Sequence, residues 1–257
     1  MATFTRIPIN SYTTLIDDNG ESSAYLLCGT ERALLIDTLN GRENLADIVR
    51  GITDLPVIVV NTHGHIDHIG GNHFFSEAWM HPADAGVYRE HFDMLANVLR
   101  GQGITPVPTG NECRLLPLES GQTFDLGGLT LEVIAVAGHT PGSCAILDRN
   151  ARLLYSGDAI NGTIWMQLDH STCLSEYLAS LDALDAFRAD FDGLYGGHVR
   201  EAQAVPATYI DVMKRGVKEI LSGDTARDDE WPWFQGVAKR HMLGADTWIL
   251  YTEEKIR

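Results

Sequence analysis

Asn61-Thr62-His63-Gly64-His65-Ile66-Asp67-His68 directly follows the run Val57-Ile58-Val59-Val60. That continuous β-branched run is typical of a strand buried on both faces. Four residues able to ligate a metal, His63, His65, Asp67 and His68, then fall within six positions at the strand's carboxyl end. Packed together as plain core they would be costly, because each buried imidazole or carboxylate needs a partner. In extended chain His63 and His65 point the same way, since side chains alternate with period two. Asp67 and His68 are displaced from that pair and can serve a second ion. Gly64 permits a sharp turn, and Gly70-Gly71 lets the chain leave tightly.

Outward from this stretch the chain alternates short strands with amphipathic helices. Ser23–Leu27 and Ala33–Asp37 read as a hairpin-like pair around Gly29-Thr30. Leu45, Ile48, Val49 and Ile52 form one helical stripe, and Pro82–Leu99 opens on proline and stops before Gly101. A second run of strands covers Cys113–Leu118, Gln122–Leu126, Leu129–Val136, Cys144–Leu147 and Leu153–Tyr155. Ser171–Phe187 predicts a helix capped by Ser171 or Thr172. Phe191–Tyr195 predicts a strand, Pro206–Leu221 a helix, and Thr247–Tyr251 a final strand. No Ser/Gly/Pro-rich linker divides the chain, so residues 1–257 are expected to form one α+β domain. Residues 201–257 are expected to be a helical and aromatic extension capping its core.

Three further segments repeat the motif of a ligand-type residue beside glycine at a strand end. They are Gly138-His139-Thr140-Pro141-Gly142 after Val136, Ser156-Gly157-Asp158 after Tyr155, and Gly196-Gly197-His198 after Tyr195. Any one alone is an ordinary loop. With the octapeptide they make an ordered series, and over roughly residues 20–200 that series resembles the metallo-β-lactamase superfamily. The resemblance implies a four-layer αβ/βα sandwich, two mixed sheets face to face with helices outside and metals at one edge. It implies one ion held by His63, His65 and His139, a second held by Asp67, His68 and His198, and Asp158 bridging the two.

The donor types agree independently. Imidazole and carboxylate without thiolate suit Zn²⁺, Mn²⁺ or Fe²⁺, zinc being the first expectation. A set that leaves room for exchangeable water marks a catalytic site and not a structural one. The expected activity is that of a dinuclear hydrolase of a small ester-like molecule (lactone, thioester, ester or phosphoester), with a metal-bridging hydroxide as nucleophile. Asp67 and Asp158 are its catalytic candidates, Asp67 also as a proton acceptor. Asn161, Trp165 and Met166 follow Asp158 closely and are expected to line the substrate pocket, with some of Trp231, Trp233 and Phe234. Aspartate at position 158 resembles glyoxalase II and lactonase branches, whereas true β-lactamase subgroups carry cysteine or serine there. The space between Asp158 and His198 is too short for the cap of nucleic-acid-processing members. Two competing readings remain at this point, a mononuclear iron persulfide dioxygenase-like oxidoreductase and a non-catalytic metal-binding module.

Composition excludes other classes. With 19 Lys+Arg against 35 Asp+Glu the formal net charge is −16, and basic residues cluster only at Lys214, Arg215 and Lys218. That cluster reads as a solvated helix face, so nucleic acid is not an expected partner. No apolar run approaches the roughly 20 residues a membrane span needs. Met1–Arg6 shows no signal-peptide pattern, which gives the expectation of a cytoplasmic protein with reduced Cys28, Cys113, Cys144 and Cys173. Homo-oligomerisation is left open. His73, His81, His91, His170 and His241 are expected at the surface or in the core, with His170 the first exception because it precedes a helix on the substrate side. Thr62 and Thr140 are either donors that orient ligands or turn residues, and Cys144 is a core thiol.

Overall fold

The computed structural model describes residues 4–103 and 112–257; Met1–Thr3, read above for a signal pattern, lie outside them. Seven strands hydrogen-bond side by side in chain order: β1 (Thr5–Pro8), β2 (Thr13–Asp17), β3 (Ser23–Cys28), β4 (Ala33–Ile36), β5 (Val57–Val60), β6 (Glu77–Met80) and β7 (Arg114–Pro117). Strands β1 to β4 are antiparallel and β4 to β7 parallel. Next come β8 (Thr123–Asp125), β9 (Thr130–Ala135), β10 (Cys144–Asp148), β11 (Leu153–Gly157), β12 (Thr163–Trp165), β13 (Gly193–Gly196) and β14 (Val205–Pro206). All of these except β12 form a second sheet in the order β14-β13-β11-β10-β9-β8. Strand β12 instead pairs in parallel with the last strand, β17 (Thr247–Tyr251), beside β16 (Gly236–Gly244) and β15 (Asp229–Trp233).

Period-two alternation explains the layers. Tyr25, Leu27, Leu34, Ile36 and Val60 of the first sheet meet Leu131, Val133, Cys144, Ile146 and Tyr155 of the second in one buried cluster. Their neighbours Ala24, Leu26, Ala33, Leu35 and Val59 face outward onto Leu45 and Val49 of α1 (Leu45–Arg50). A single turn, α2 (Ile66–Ile69), carries the second half of the octapeptide, and α3 (Ala85–Gly101) buries Tyr88, Phe92, Leu95 and Leu99 against Ile69 and Met80. On the far side, Ala145, Leu147 and Leu154 pack under α4 (Leu174–Ala183) and α5 (Tyr209–Ser222). Each fully buried aliphatic side chain contributes about 1.5–3 kcal/mol of transfer free energy. The expected α+β sandwich is borne out.

Three local readings differ. The helix after residue 171 starts later than expected: the Glu176 carboxylate accepts from the Cys173 backbone N–H at 3.2 Å, so Cys173, not Ser171 or Thr172, stands at its N-cap. Lys214 is not on a solvated face; its side chain is 9% exposed and its ammonium pairs with Asp182 (3.2 Å) and Asp185 (2.7 Å), joining α5 to the end of α4. The C-terminal stretch, expected to be helical and aromatic, holds α5 and then three antiparallel strands, and Ile249 and Tyr251 enter the core. No helix among the described residues is long and apolar enough to cross a membrane. All four cysteines are free thiols, with Cys144 between the sheets as expected.

Candidate metal centre

Strand direction gathers the ligand-type residues. Strands β9 and β11 are both antiparallel to β10, and β13 is parallel to β11, so all three end at the same edge of the second sheet. The loops leaving those ends carry His139, Asp158 and His198. The carboxyl end of β5 delivers His63 and His65, and the α2 turn swings Asp67 and His68 away from that pair. A hydrogen bond from Cys144 N–H to the Thr62 carbonyl (2.8 Å) fastens the two sheets together beside the loops.

The structure brings all seven residues together as two overlapping groups. His65 Nδ1 lies 3.0 Å from His63 Nε2 and 2.9 Å from His139 Nε2. His68 Nε2 lies 3.5 Å from Asp67 Oδ2 and 3.6 Å from Asp158 Oδ1. His198 Nε2 is 3.1 Å from Asp158 Oδ2 and 3.5 Å from Asp67 Oδ2. Asp158 stands between the groups, since Oδ2 is also 3.7 Å from His139 Nε2. A Cβ on Gly197 would come 2.2 Å from Asp158 Oδ1 and 2.6 Å from His68 Cε1, so only glycine lets the chain pass this close.

The opposite ring nitrogens are already engaged, which fixes the tautomers. Thr62 Oγ1 donates to Asp37 Oδ2 (2.7 Å) and therefore accepts from His63 Nδ1 (3.0 Å). His68 Nδ1 donates to Asp37 Oδ2 (2.9 Å), and His139 Nδ1 donates to the Trp165 carbonyl (2.8 Å). The Nε2 lone pairs of all three are left pointing at one another's neighbourhood. Burial holds His63, His65 and His139 below the usual imidazole range, in the neutral form that binds metals. Burial acts the same way on His68, but the carboxylates of Asp67, Asp158 and Asp37 outweigh it and push that ring up. Asp158 pushes His198 up to about 9. His68 Nε2 is fully buried with no hydrogen-bond partner. Bare imidazole nitrogens about 3 Å apart, and an orphaned one between two carboxylates, fit divalent cations.

Asp37 and Asp84 are functional residues the sequence reading missed. Asp37 closes β4 with φ of 61°, a conformation aspartate tolerates, and its carboxylate also accepts from Thr62 N–H (2.7 Å). Asp84 is fully buried ahead of α3 and accepts from Gly64 N–H (2.8 Å), Gly142 N–H (2.6 Å) and Thr140 Oγ1 (2.7 Å), tying the His63 loop to the His139 loop. Burial raises its carboxyl pKa despite those donors. Each buried N–H orphaned by Asp84→Ala costs about 1–3 kcal/mol. At roughly 2–4 °C per kcal/mol for a chain of this size, Tm should fall by at least about 5 °C. Thermal unfolding followed by circular dichroism checks this, and an unchanged Tm contradicts the brace. His91, expected away from the site, packs against His65 with ring centroids 4.6 Å apart and planes tilted by 32°.

The pocket residues divide. Asn161 reaches Asp158 Oδ1 with its amide (3.4 Å), and Trp165 is 38% exposed while its carbonyl holds His139. Met166, expected at the substrate pocket, is instead fully buried among Ile164, Leu174 and Ile249, because the extended chain leaving β12 turns it to the same side as Ile164. Of the tail aromatics, Trp231 lies under the Arg240 guanidinium (4.6 Å) and Phe234 is 74% exposed. Trp233 borders a groove of about 940 Å³ with Gln167, Asp169, Lys239 and Lys255, which none of the seven ligand-type residues lines.

Residues 17–205, which carry all seven, match the family described as the Metallo-beta-lactamase superfamily. The chain belongs to that superfamily. Similar proteins include the acyl-coenzyme A thioesterase MBLAC2 of Gallus gallus, 28% identical over 191 residues, covering 65% of this chain and 68% of that protein. The hydroxyacylglutathione hydrolase GloC of Haemophilus influenzae is 24% identical over 162 residues, 59% of this chain and 74% of that one. Among solved structures, a metallo-beta-lactamase from Erythrobacter litoralis superposes with a TM-score of 0.62 at 16% identity, covering 85% of this chain and 98% of that chain; this likeness concerns the fold.

Proposed function

We propose that this member of the superfamily is a dinuclear metal-dependent hydrolase of a small ester-like substrate, with thioesters first among the candidates. One observation carries the reading: five imidazoles and two carboxylates converge, with the His68 Nε2 atom orphaned between the carboxylates. His63, His65 and His139 would hold one ion, and Asp67, His68 and His198 the other, with Asp158 shared. Bound there, two divalent ions, zinc in the first instance, supply Lewis acidity and a hydrolytic nucleophile at neutral pH. Asp67 is 26% exposed at its side chain and can take up a proton on the open side of the site. Asn161 orients Asp158 through its amide. The thioester preference is drawn from the relatives, one of which is named an acyl-coenzyme A thioesterase, while the other is named a hydrolase of an acylated thiol, hydroxyacylglutathione.

β-Lactams should be poor substrates. A departing thiolate or alkoxide carries developing negative charge that a cationic site stabilises, whereas a lactam nitrogen needs a proton as it leaves. The carboxylate of such drugs also wants a nearby cation. Arg200, the basic residue next to His198 in sequence, packs its guanidinium against Gly20. The net charge of −16 offers an anion no long-range attraction. Steady-state kinetics of the zinc-loaded protein on acyl thioesters, lactones, aryl esters, penicillins and cephalosporins tests the proposal. The expected result is a kcat/KM for at least one thioester above that for every β-lactam. A penicillin or cephalosporin exceeding every ester-like compound would overturn the substrate class, and no hydrolysis of any compound would favour a non-catalytic module.

A further inference from the structure

Each buried histidine of the metal centre is oriented through its second nitrogen, and His65 is the odd one. His63 uses Thr62, His68 uses Asp37 and His139 uses a backbone carbonyl, all of them oxygen partners. Behind His65 stands another imidazole: its Nε2 lies 2.6 Å from Nε2 of His170. We propose that His170 is the positioning residue of His65, its Nε2 lone pair accepting the His65 Nε2–H. That hydrogen bond keeps His65 Nδ1 unprotonated and aimed between His63 and His139. A metal ligand's orientation and basicity both depend on such a partner.

The neighbouring His91 raises a competing assignment, because His65, His91 and His170 also form a compact trio of possible ligands. The contacts argue against an ion there. His91 Nδ1 accepts from the Ile66 backbone N–H (3.2 Å), so its proton sits on Nε2. With Nδ1 of His65 turned to the main centre, Nε2 of His65 is protonated as well. Two donors and one acceptor describe a hydrogen bond, here of 2.6 Å, and leave a single free lone pair where an ion would need three.

His170 is itself held by the C-terminal segment. Lys255 Nζ donates to the carbonyls on both sides of it, Asp169 (3.1 Å) and Ser171 (2.7 Å). The same loop reaches the other ligand loop, with Ser171 Oγ donating to the His139 carbonyl (2.8 Å) and Thr172 N–H to the Gly138 carbonyl (2.9 Å). Lys255 lies beyond the residues 17–205 that match the family, so the brace on His65 is completed by this chain's own tail.

The assignment rests on the metal-centre reading and is tested apart from activity. Metal-stripped full-length protein and its His170→Ala and His170→Gln variants are titrated with Co²⁺, whose visible absorption reports ligand geometry. Loss of the acceptor should weaken binding of the first Co²⁺ by about 10–100-fold and change its spectrum. His170→Gln places a carbonyl oxygen where it can accept the same proton and should bind close to wild type. Wild-type behaviour of His170→Ala would overturn the assignment, and so would equal losses in both variants, which would mean packing. A third Co²⁺ equivalent in wild type that His170→Ala lacks would establish the three-histidine ion site instead. If wild type binds no Co²⁺, the metal centre itself fails and the assignment falls with it.

Discussion

Asp158→Ala should lower thioester turnover by more than about 100-fold, the upper end of what an outer partner of a ligand costs. Its two oxygens face different groups, Oδ1 toward His68 Nε2 at 3.6 Å and Oδ2 toward His198 Nε2 at 3.1 Å. If two divalent ions are bound as proposed, a carboxylate placed this way would be shared between them and help hold the pair that two-metal catalysis requires. Removing it also deletes the charge that opposes two adjacent cations. Metal content should drop to one ion or less, while circular dichroism should show the fold retained. Turnover and metal content measured together decide the matter; a variant that keeps both near wild type removes the bridging role.

Asp37→Ala should have the next largest effect, on both stability and metal binding. Its carboxylate accepts from Thr62 N–H, Thr62 Oγ1 and His68 Nδ1, all buried. Orphaning two buried N–H groups costs about 1–3 kcal/mol each. The tautomers of His63 and His68 lose their common anchor, which should weaken both ions by about 10–100-fold. Chemical denaturation and metal titration on one preparation check both halves. Asp37→Asn separates them: the amide still accepts from Thr62 N–H but serves His68 Nδ1 poorly, so stability should recover further than metal affinity.

The fold was legible where burial is two-sided or strictly alternating. Val57–Val60 and Ala33–Ile36 announce central strands, and the inward and outward partners of β3, β4 and β10 fall where period two puts them. Edges were harder. Strand β1 is mostly exposed and carries little apolar pattern. Strand β15 contains Pro232, which reads as a strand breaker but is tolerated because β15 is the edge of its sheet. The parallel pairing of β12 with β17 joins residues more than 80 positions apart, and no local signal announces it.

His63, His65, His139, Asp158 and His198 stood out because each sits beside glycine after a strand, Asp67 and His68 because they crowd the same octapeptide, and the structure brings those seven together. Asp37 also follows a strand, β4, but without a glycine neighbour that pattern passes it over and it reads as a turn aspartate. Asp84 offered no such cue, since its role comes from three donors on two distant loops. Proximity in sequence also misled: Met166 lies eight residues from Asp158 but, directly after β12, falls on the core side with Ile164.

The most direct test is the metal stoichiometry of the full-length protein. Metal-stripped chain titrated with Zn²⁺, with free ion followed by a chromophoric chelator, should take up two ions per chain before free zinc rises. Uptake that stops at one ion or none would contradict the dinuclear centre built on His63, His65, Asp67, His68, His139, Asp158 and His198.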